Sequence, residues 1–257
     1  MCDRKSTGLM QVFQVEAKTV ENSHTKTLRF NGGLEGAMPG QFVMVWLPGV
    51  GEKPFSIAAA RPLALTISDV GPVSHALNEI GVGEKVWIRG PFGQGYRLVG
   101  IRHLLVGGGY GAAPLAFLAE EALNQGHQVS VCLGAKTEED LLMESKLSGL
   151  GCLMRVASND GSKGHKGLVT KQVEKAILED KPDCLYACGP TGMLLALAEL
   201  CKQHNLPCQL SFEGLMRCGV GLCGSCELAE DLCERVGLPG GWLACHDGPV
   251  VSLERSF

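Results

Sequence analysis

Aromatic residues are scarce in this 257-residue chain: three Trp, three Tyr and eight Phe make up 5% of it. Long apolar runs are missing too. Residues 1 to 8 are polar and lead straight into an alternating pattern, so neither a signal peptide's apolar core nor a membrane span is expected, and the expected location is the cytoplasm. The chain also lacks a basic surplus. A net charge of -4 and a pI near 6.0 leave no electrostatic footprint for nucleic acid or an anionic membrane surface. No internal repeat or low-complexity linker interrupts it.

Glycine and cysteine are what the chain has in plenty, with 35 and 12 residues. So much glycine beside so few aromatics points to tight turns and to backbone that approaches ligands closely. In a reducing compartment twelve cysteines point to metal ligands plus buried thiols, not a disulfide framework. Cys132, Cys152, Cys184 and Cys208 lie in or beside apolar strand-like runs and are expected in the core. The length suits two domains and a small appendage.

The densest cysteine stretch is Cys218-Gly-Val-Gly-Leu-Cys223-Gly-Ser-Cys226, with Cys245 downstream. C-x4-C-x2-C followed by one more cysteine is the plant-type ligand spacing for a [2Fe-2S] cluster. Four thiolates must converge on two bridged irons, and glycines let the chain wrap that small anionic body with its N–H groups facing the sulfurs. Structural zinc also takes four cysteines, but usually from two separated short pairs. Cys233 and Cys245 could each supply the fourth thiolate.

Before the cysteines the chain changes period once. Residues 11–20, 25–30, 41–47, 55–60, 63–69 and 85–89 read as short strands between turn signals, a pattern that predicts a small closed antiparallel barrel. Within it, Lys53-Pro54-Phe55-Ser56 sets a cation, a rigid proline, an aromatic and a hydroxyl at a strand start. Ser74 is expected to cap a short helix whose N-terminus could bind phosphate.

From about residue 100 strands alternate with helices, expected over 114–125, 138–146, 171–178 and 193–204, which predicts a parallel sheet covered on both faces. Thr137 and Asp140 suggest a capping box for the second of these helices. The first strand runs into Gly107-Gly108-Gly109-Tyr110-Gly111, and a later one into Cys188-Gly189-Pro190. Two such loops at the carboxyl edge of a parallel sheet suit a nicotinamide dinucleotide. The loop after the second strand offers both Lys136 and Glu138, so the residues themselves do not choose NAD over NADP.

Barrel, Gly-rich α/β domain and carboxy-terminal [2Fe-2S] segment, in that order, resemble the electron-transfer subunit of the two-subunit, NAD-linked dihydroorotate dehydrogenase over essentially the whole chain. That family is part of the ferredoxin reductase-like flavoprotein group. The resemblance implies a barrel at residues 1–99 for FAD, an α/β domain at 100–210 for NAD and a cluster segment at 211–257. Lys53, Pro54, Phe55, Ser56, Val73 and Ser74 fall on the family's flavin positions. Two of them depart from the pattern: Lys53 stands for an arginine, losing its bidentate fork, and Val73 stands for a glycine. Gly107, Gly108, Gly109, Gly111, Cys188, Gly189 and Pro190 fall on the NAD positions, with Cys188 beside the nicotinamide. Cys218, Cys223 and Cys226 are joined by Cys245, because the family's last ligand precedes Asp-Gly-Pro; Cys233 is then a bystander.

The implied activity is a relay in pyrimidine biosynthesis. An FMN-containing partner subunit oxidises dihydroorotate, and electrons reach NAD⁺ through the cluster and FAD here, in a heterotetramer of two subunits of each kind. No general acid or base is expected in this chain. The same cofactors would also serve a sulfide dehydrogenase, a hydrogenase, an anaerobic sulfite reductase or a ferredoxin:NADP oxidoreductase, and a non-catalytic zinc-holding module is the reading outside redox chemistry.

Overall fold

The computed structural model describes residues 8–253, so most of the polar amino-terminal stretch lies outside the described residues. The barrel is there, with the expected six strands: β1 (Gln11–Asn22), β2 (Thr25–Phe30), β3 (Phe42–Leu47), β4 (Gly51–Ala60), β5 (Leu63–Ser68) and β6 (Lys85–Phe92), closed in the order β1-β2-β5-β4-β3-β6. Its cause is alternation. In β5, Leu63, Leu65 and Ile67 are fully buried while Ala64, Thr66 and Ser68 are half-buried, the two-residue period of a strand with one face in a core.

β4 starts four residues before the expected Phe55, with Lys53 and Pro54 already paired to Val45 and Met44. A proline is tolerated there because β5 pairs with β4 only from Ile57 onward, so the missing N–H faces no partner strand. Helix α1 (Pro72–Glu79) corrects the capping expectation: Gly71 is the N-cap, Pro72 opens the helix, and Ser74 is its third residue.

The second sheet comprises β7 (Arg102–Gly108), β8 (Gln128–Ala135), β9 (Leu153–Ser158), β10 (His165–Lys166), β11 (Cys184–Cys188), β12 (Cys208–Ser211) and β13 (Val250–Leu253). Their order is β10-β9-β8-β7-β11-β12-β13, all parallel except β13. Helices α2 (Ala112–Asn124), α3 (Glu144–Gly149), α4 (Thr170–Asp180) and α5 (Thr191–Gln203) connect the parallel strands, and α6 (Glu230–Val236) lies in the cysteine-rich segment. Cys132, Cys152, Cys184 and Cys208 are buried as expected.

The helix expected over 138–146 is not continuous. Glu138–Asp140 form one 3-10 turn, and Met143, at φ 64°, breaks the chain before α3. The capping box is also absent, because the Thr137 hydroxyl donates to the Asp140 carboxylate at 3.2 Å and reaches no backbone N–H.

Contacts between the parts hold them together, among them these. Phe117 of α2 is buried among barrel residues. The buried Tyr96 hydroxyl donates to the Ala187 carbonyl at 2.9 Å. The cysteine-rich segment returns to the second sheet as β13, antiparallel to β12. Among the described residues no helix is long and apolar enough to cross a membrane.

Candidate functional site

The four expected cysteines come together as two pairs, not as one tetrahedral group. Cys218 and Cys223 are neighbours, as are Cys226 and Cys245. Among the described residues no three His, Cys, Asp or Glu side chains converge on a single-ion position. A binuclear cluster takes two thiolates per iron, so paired sulfurs fit it better than they fit one zinc.

Backbone amides aim at these sulfurs. Leu222 N and Val220 N donate to Cys218 Sγ at 3.4 and 3.5 Å, Gly221 N to Cys245 Sγ at 3.2 Å and Cys245 N to Cys226 Sγ at 3.4 Å. Desolvation opposes ionisation of Cys218, yet N–H groups from Val220, Cys223 and Leu222 together bring its thiol down to about 6. Gly219, at φ +75°, lets the loop press on the barrel: a Cβ there would stand 3.0 Å from Met44 Cγ. Cys233 is buried on α6, its thiol toward the Leu228 carbonyl, apart from both pairs.

Beside this loop lies an inner cavity of about 240 Å³ to which all three parts of the chain contribute: Phe55, Ser56 and Thr66 of the barrel, Cys188 at the end of β11, and Glu213 and Met216 from the stretch leading to Cys218. Pro54 also lines it. Lys53 and Val73 do not. The Ser74 hydroxyl is fully committed nearby, accepting from Val70 N and Gly71 N and donating to Gly71 O, each at 2.9 Å. A hydroxyl has one proton and two lone pairs, so none is left for a ligand.

An outer cleft of about 630 Å³ follows at the carboxyl edge of the parallel sheet, where β7 has β8 on one side and β11 on the other. That is the switch point at which such sheets bind ligands. Gly108, Gly109 and Pro190 line it; Gly107, Gly111 and Gly189 do not. The last two serve packing between the loops. A Cβ on Gly111 would fall on the Cys188 carbonyl, and one on Gly189 would stand 3.0 Å from Gly108 N. Gly109, at φ +55°, has open space beside it.

Burial pushes the Cys188 thiol up to about 12, so it stays neutral. Glu213 lines the inner cavity with its side chain exposed, and desolvation raises its carboxyl while a hydrogen bond from Tyr110, at 3.2 Å, pulls it back. Neither residue had been assigned a role from sequence. Both stand inside recognisable motifs, Tyr110 in the Gly-rich loop and Glu213 at the head of the cysteine stretch, which was the available signal.

The oxidoreductase NAD-binding domain family matches residues 105–199. A Methanopyrus kandleri protein, named a probable dihydroorotate dehydrogenase B (NAD(+)), electron transfer subunit, is 38% identical over 219 residues, covering 84% of this chain and 80% of its own. A Thermococcus kodakarensis protein of the same name is 38% identical over 230 residues, 90% of this chain and 91% of its own. The solved structure of an NADH-dependent reduced ferredoxin-NADP oxidoreductase is similar at a TM-score of 0.80 and 26% identity, covering 95% of this chain and 89% of that one. With the barrel, the dinucleotide-type sheet edge and the paired cysteines in place, the chain belongs to the family of electron transfer subunits of dihydroorotate dehydrogenase B.

Proposed function

We propose that this chain takes electrons from an FMN-containing catalytic subunit that oxidises dihydroorotate and delivers them to NAD⁺, working as part of a heterotetramer of two subunits of each kind. The observation that carries the reading is the inner cavity, where barrel, parallel sheet and cysteine segment meet. In this reading residues 1–99 serve FAD, 100–210 serve NAD and 211–257 hold a [2Fe-2S] cluster.

When bound, the cluster supplies one-electron transfer and the flavin joins it to two-electron exchange with nicotinamide. The chain's own residues position and insulate. Cys218 with Cys223, and Cys226 with Cys245, would hold one iron each, and the N–H groups of Val220, Gly221 and Leu222 stabilise negative charge on the sulfurs. Pro54 and Phe55 would flank the flavin ring, with the Ser56 hydroxyl at its edge and exposed Lys53 outside the cavity toward the diphosphate. Gly108, Gly109 and Pro190 would take the dinucleotide and bring its nicotinamide toward neutral Cys188. Ser74 contributes by shaping its loop, with its hydroxyl already used.

The test is an anaerobic visible spectrum of the protein purified with its native partner, taken before and after dihydroorotate and then after NAD⁺. Bleaching by dihydroorotate followed by the appearance of NADH is expected. Bleaching by NADH but not by dihydroorotate would keep the cofactors and overturn the substrate. A colourless protein with zinc and no acid-labile sulfide would overturn the redox reading.

A further inference from the structure

On the face of the barrel that turns away from its core, β2 and β5 set hydroxyl opposite hydroxyl. Thr25 stands across from Ser68 and Thr27 across from Thr66, and in each pair the two oxygens are 2.9 Å apart. Such pairs are ordinary cross-strand stabilisation, and for Thr25 and Ser68 the row stops there.

The second pair runs on in both directions. Thr27 Oγ1 donates to Glu21 Oε1 of β1 at 2.6 Å, the short distance of a hydroxyl on an ionised carboxylate. At the other end Thr66 lines the inner cavity. Glu21, Thr27 and Thr66 are all half-buried, so the row leads from the cavity to a carboxylate that solvent still reaches. A threonine hydroxyl has one proton, and a Thr27 that gives its own to Glu21 must accept from Thr66. Every proton in the row then points from the cavity toward the carboxylate. With Glu21 protonated the row turns over: Glu21 donates to Thr27, Thr27 to Thr66, and Thr66 into the cavity.

The proton balance of the relay calls for such a path. Electrons arrive from a cluster one at a time and bring no proton, whereas NAD⁺ takes a hydride, which is two electrons and one proton. One proton must therefore enter at the flavin on every turnover: oxidised flavin, two electrons and one proton give the reduced flavin that hands its hydride to NAD⁺. We propose that Glu21, Thr27 and Thr66 carry this proton, Glu21 loading from solvent and passing it along the two hydroxyls into the inner cavity. The inference rests on the function proposed above. Thr66 is the member at the cavity wall; Thr27 and Glu21 act through it as positioning groups.

The experiment compares the cofactor-loaded protein with its partner as wild type, Thr27→Val, Thr27→Ser and Glu21→Gln. Neither Thr27 nor Glu21 lines the inner cavity or the outer cleft, so bound FAD stays at the wild-type level in all of them. Stopped flow in weak buffer uses reduced methyl viologen, a one-electron donor that carries no proton, and follows flavin bleaching together with proton uptake by a pH indicator. The partner's flavin contributes one phase common to all four proteins. In wild type, bleaching and uptake at FAD proceed in step. Thr27→Val and Glu21→Gln slow both by roughly 10²-fold, the lower end for a positioned proton donor. Thr27→Ser, which keeps the hydroxyl, restores them. Reduction by NADH is the control: hydride brings its own proton, so its rate is the same in all four. Wild-type bleaching and uptake in Thr27→Val and Glu21→Gln overturn the relay. Equal slowing of the NADH and viologen reactions, or loss of bound FAD, also overturns it, by showing that the row merely supports the flavin site. A wild-type protein in which viologen reduces neither flavin nor cluster refutes the electron-transfer reading itself, a result distinct from these.

Discussion

Replacing Gly111 with alanine separates two forces that usually act together at a glycine. Its φ of -62° and ψ of -11° are ordinary right-handed values, so alanine meets no backbone strain. Reduced freedom in the unfolded chain alone would stabilise the protein by about 0.4–1 kcal/mol. Against that, the new Cβ would land on the Cys188 carbonyl and stand 2.7 Å from Gly189 N. Those atoms are backbone, fixed by the pairing of Cys188 with Gly107 across β11 and β7, and they cannot rotate away. Overpacking costs about 1–3 kcal/mol, and an immovable neighbour places this site near the top, for a net loss of about 2 kcal/mol. For a chain of this size that lowers Tm by roughly 4–8 °C. Gly192→Ala is the control. Gly192 is in α5 with nothing within 4 Å of its Cβ position, so the entropy term acts alone and Tm rises by roughly 1–4 °C. Thermal unfolding followed by far-ultraviolet circular dichroism, at equal cofactor loading, reads both. A Gly111→Ala protein as stable as wild type would show that the two loops are not locked against each other.

Cys245→Ser is expected to remove nearly all bound iron and acid-labile sulfide, while Cys233→Ser leaves both at wild-type levels; equal loss in the two would mean that the fourth ligand is misassigned. His103, 1% exposed on β7 with Nε2 2.9 Å from His127 Nδ1, has its pKa pushed down from 6.5 to about 4 by burial, with the neighbouring His127 adding to it. A folded-state value below the unfolded one means that its stabilising contribution is whole above about pH 6.5 and is lost as pH falls toward 4. His103→Phe should therefore flatten the dependence of Tm on pH across that window, and a variant profile parallel to wild type would count against the burial argument.

The barrel was legible because its strands alternate over five or more residues, as Leu63, Leu65 and Ile67 do, and such local signals survive folding unchanged. The spacing of Cys218, Cys223 and Cys226 is a local signal of the same kind, and the fold brings these cysteines and Cys245 together in one loop region. Where the sequence misled, tertiary structure had overridden a local preference. Ser74 has the chemistry of an N-cap, but Gly71-Pro72 ahead of it starts the helix sooner and turns the hydroxyl back into its own loop. Thr137 and Asp140 have the right spacing for a capping box, but they bond side chain to side chain because the helix stops at one turn. β13 was invisible because Val250-Val251 reads as the tail of a cysteine segment and gains its partner only through β12. The inner cavity could not be read at all as a unit, since Ser56, Cys188 and Glu213 come from three regions that only the folded chain brings together.

That assembly is fixed on one side and loose on the other. The cysteine loop presses Gly219 onto Met44, and a Cβ on Gly93 of the barrel would stand 2.6 Å from the Gly248 carbonyl just beyond Cys245. Gln94 N donates to that same carbonyl, and Phe212 N to the Pro249 carbonyl at 2.9 Å. Together with β13 these contacts tie both ends of the cysteine segment to the barrel and the sheet, so the sulfurs cannot shift relative to the inner cavity without breaking backbone hydrogen bonds. Electron transfer weakens steeply with separation and gains from such fixity. Hydride transfer requires instead that one ring arrive and leave on every turnover, and on that side the chain presents a half-exposed tyrosine on a glycine turn, held by one hydrogen bond. The fixed cysteine loop and the open sheet edge thus suit the two kinds of transfer proposed for this chain.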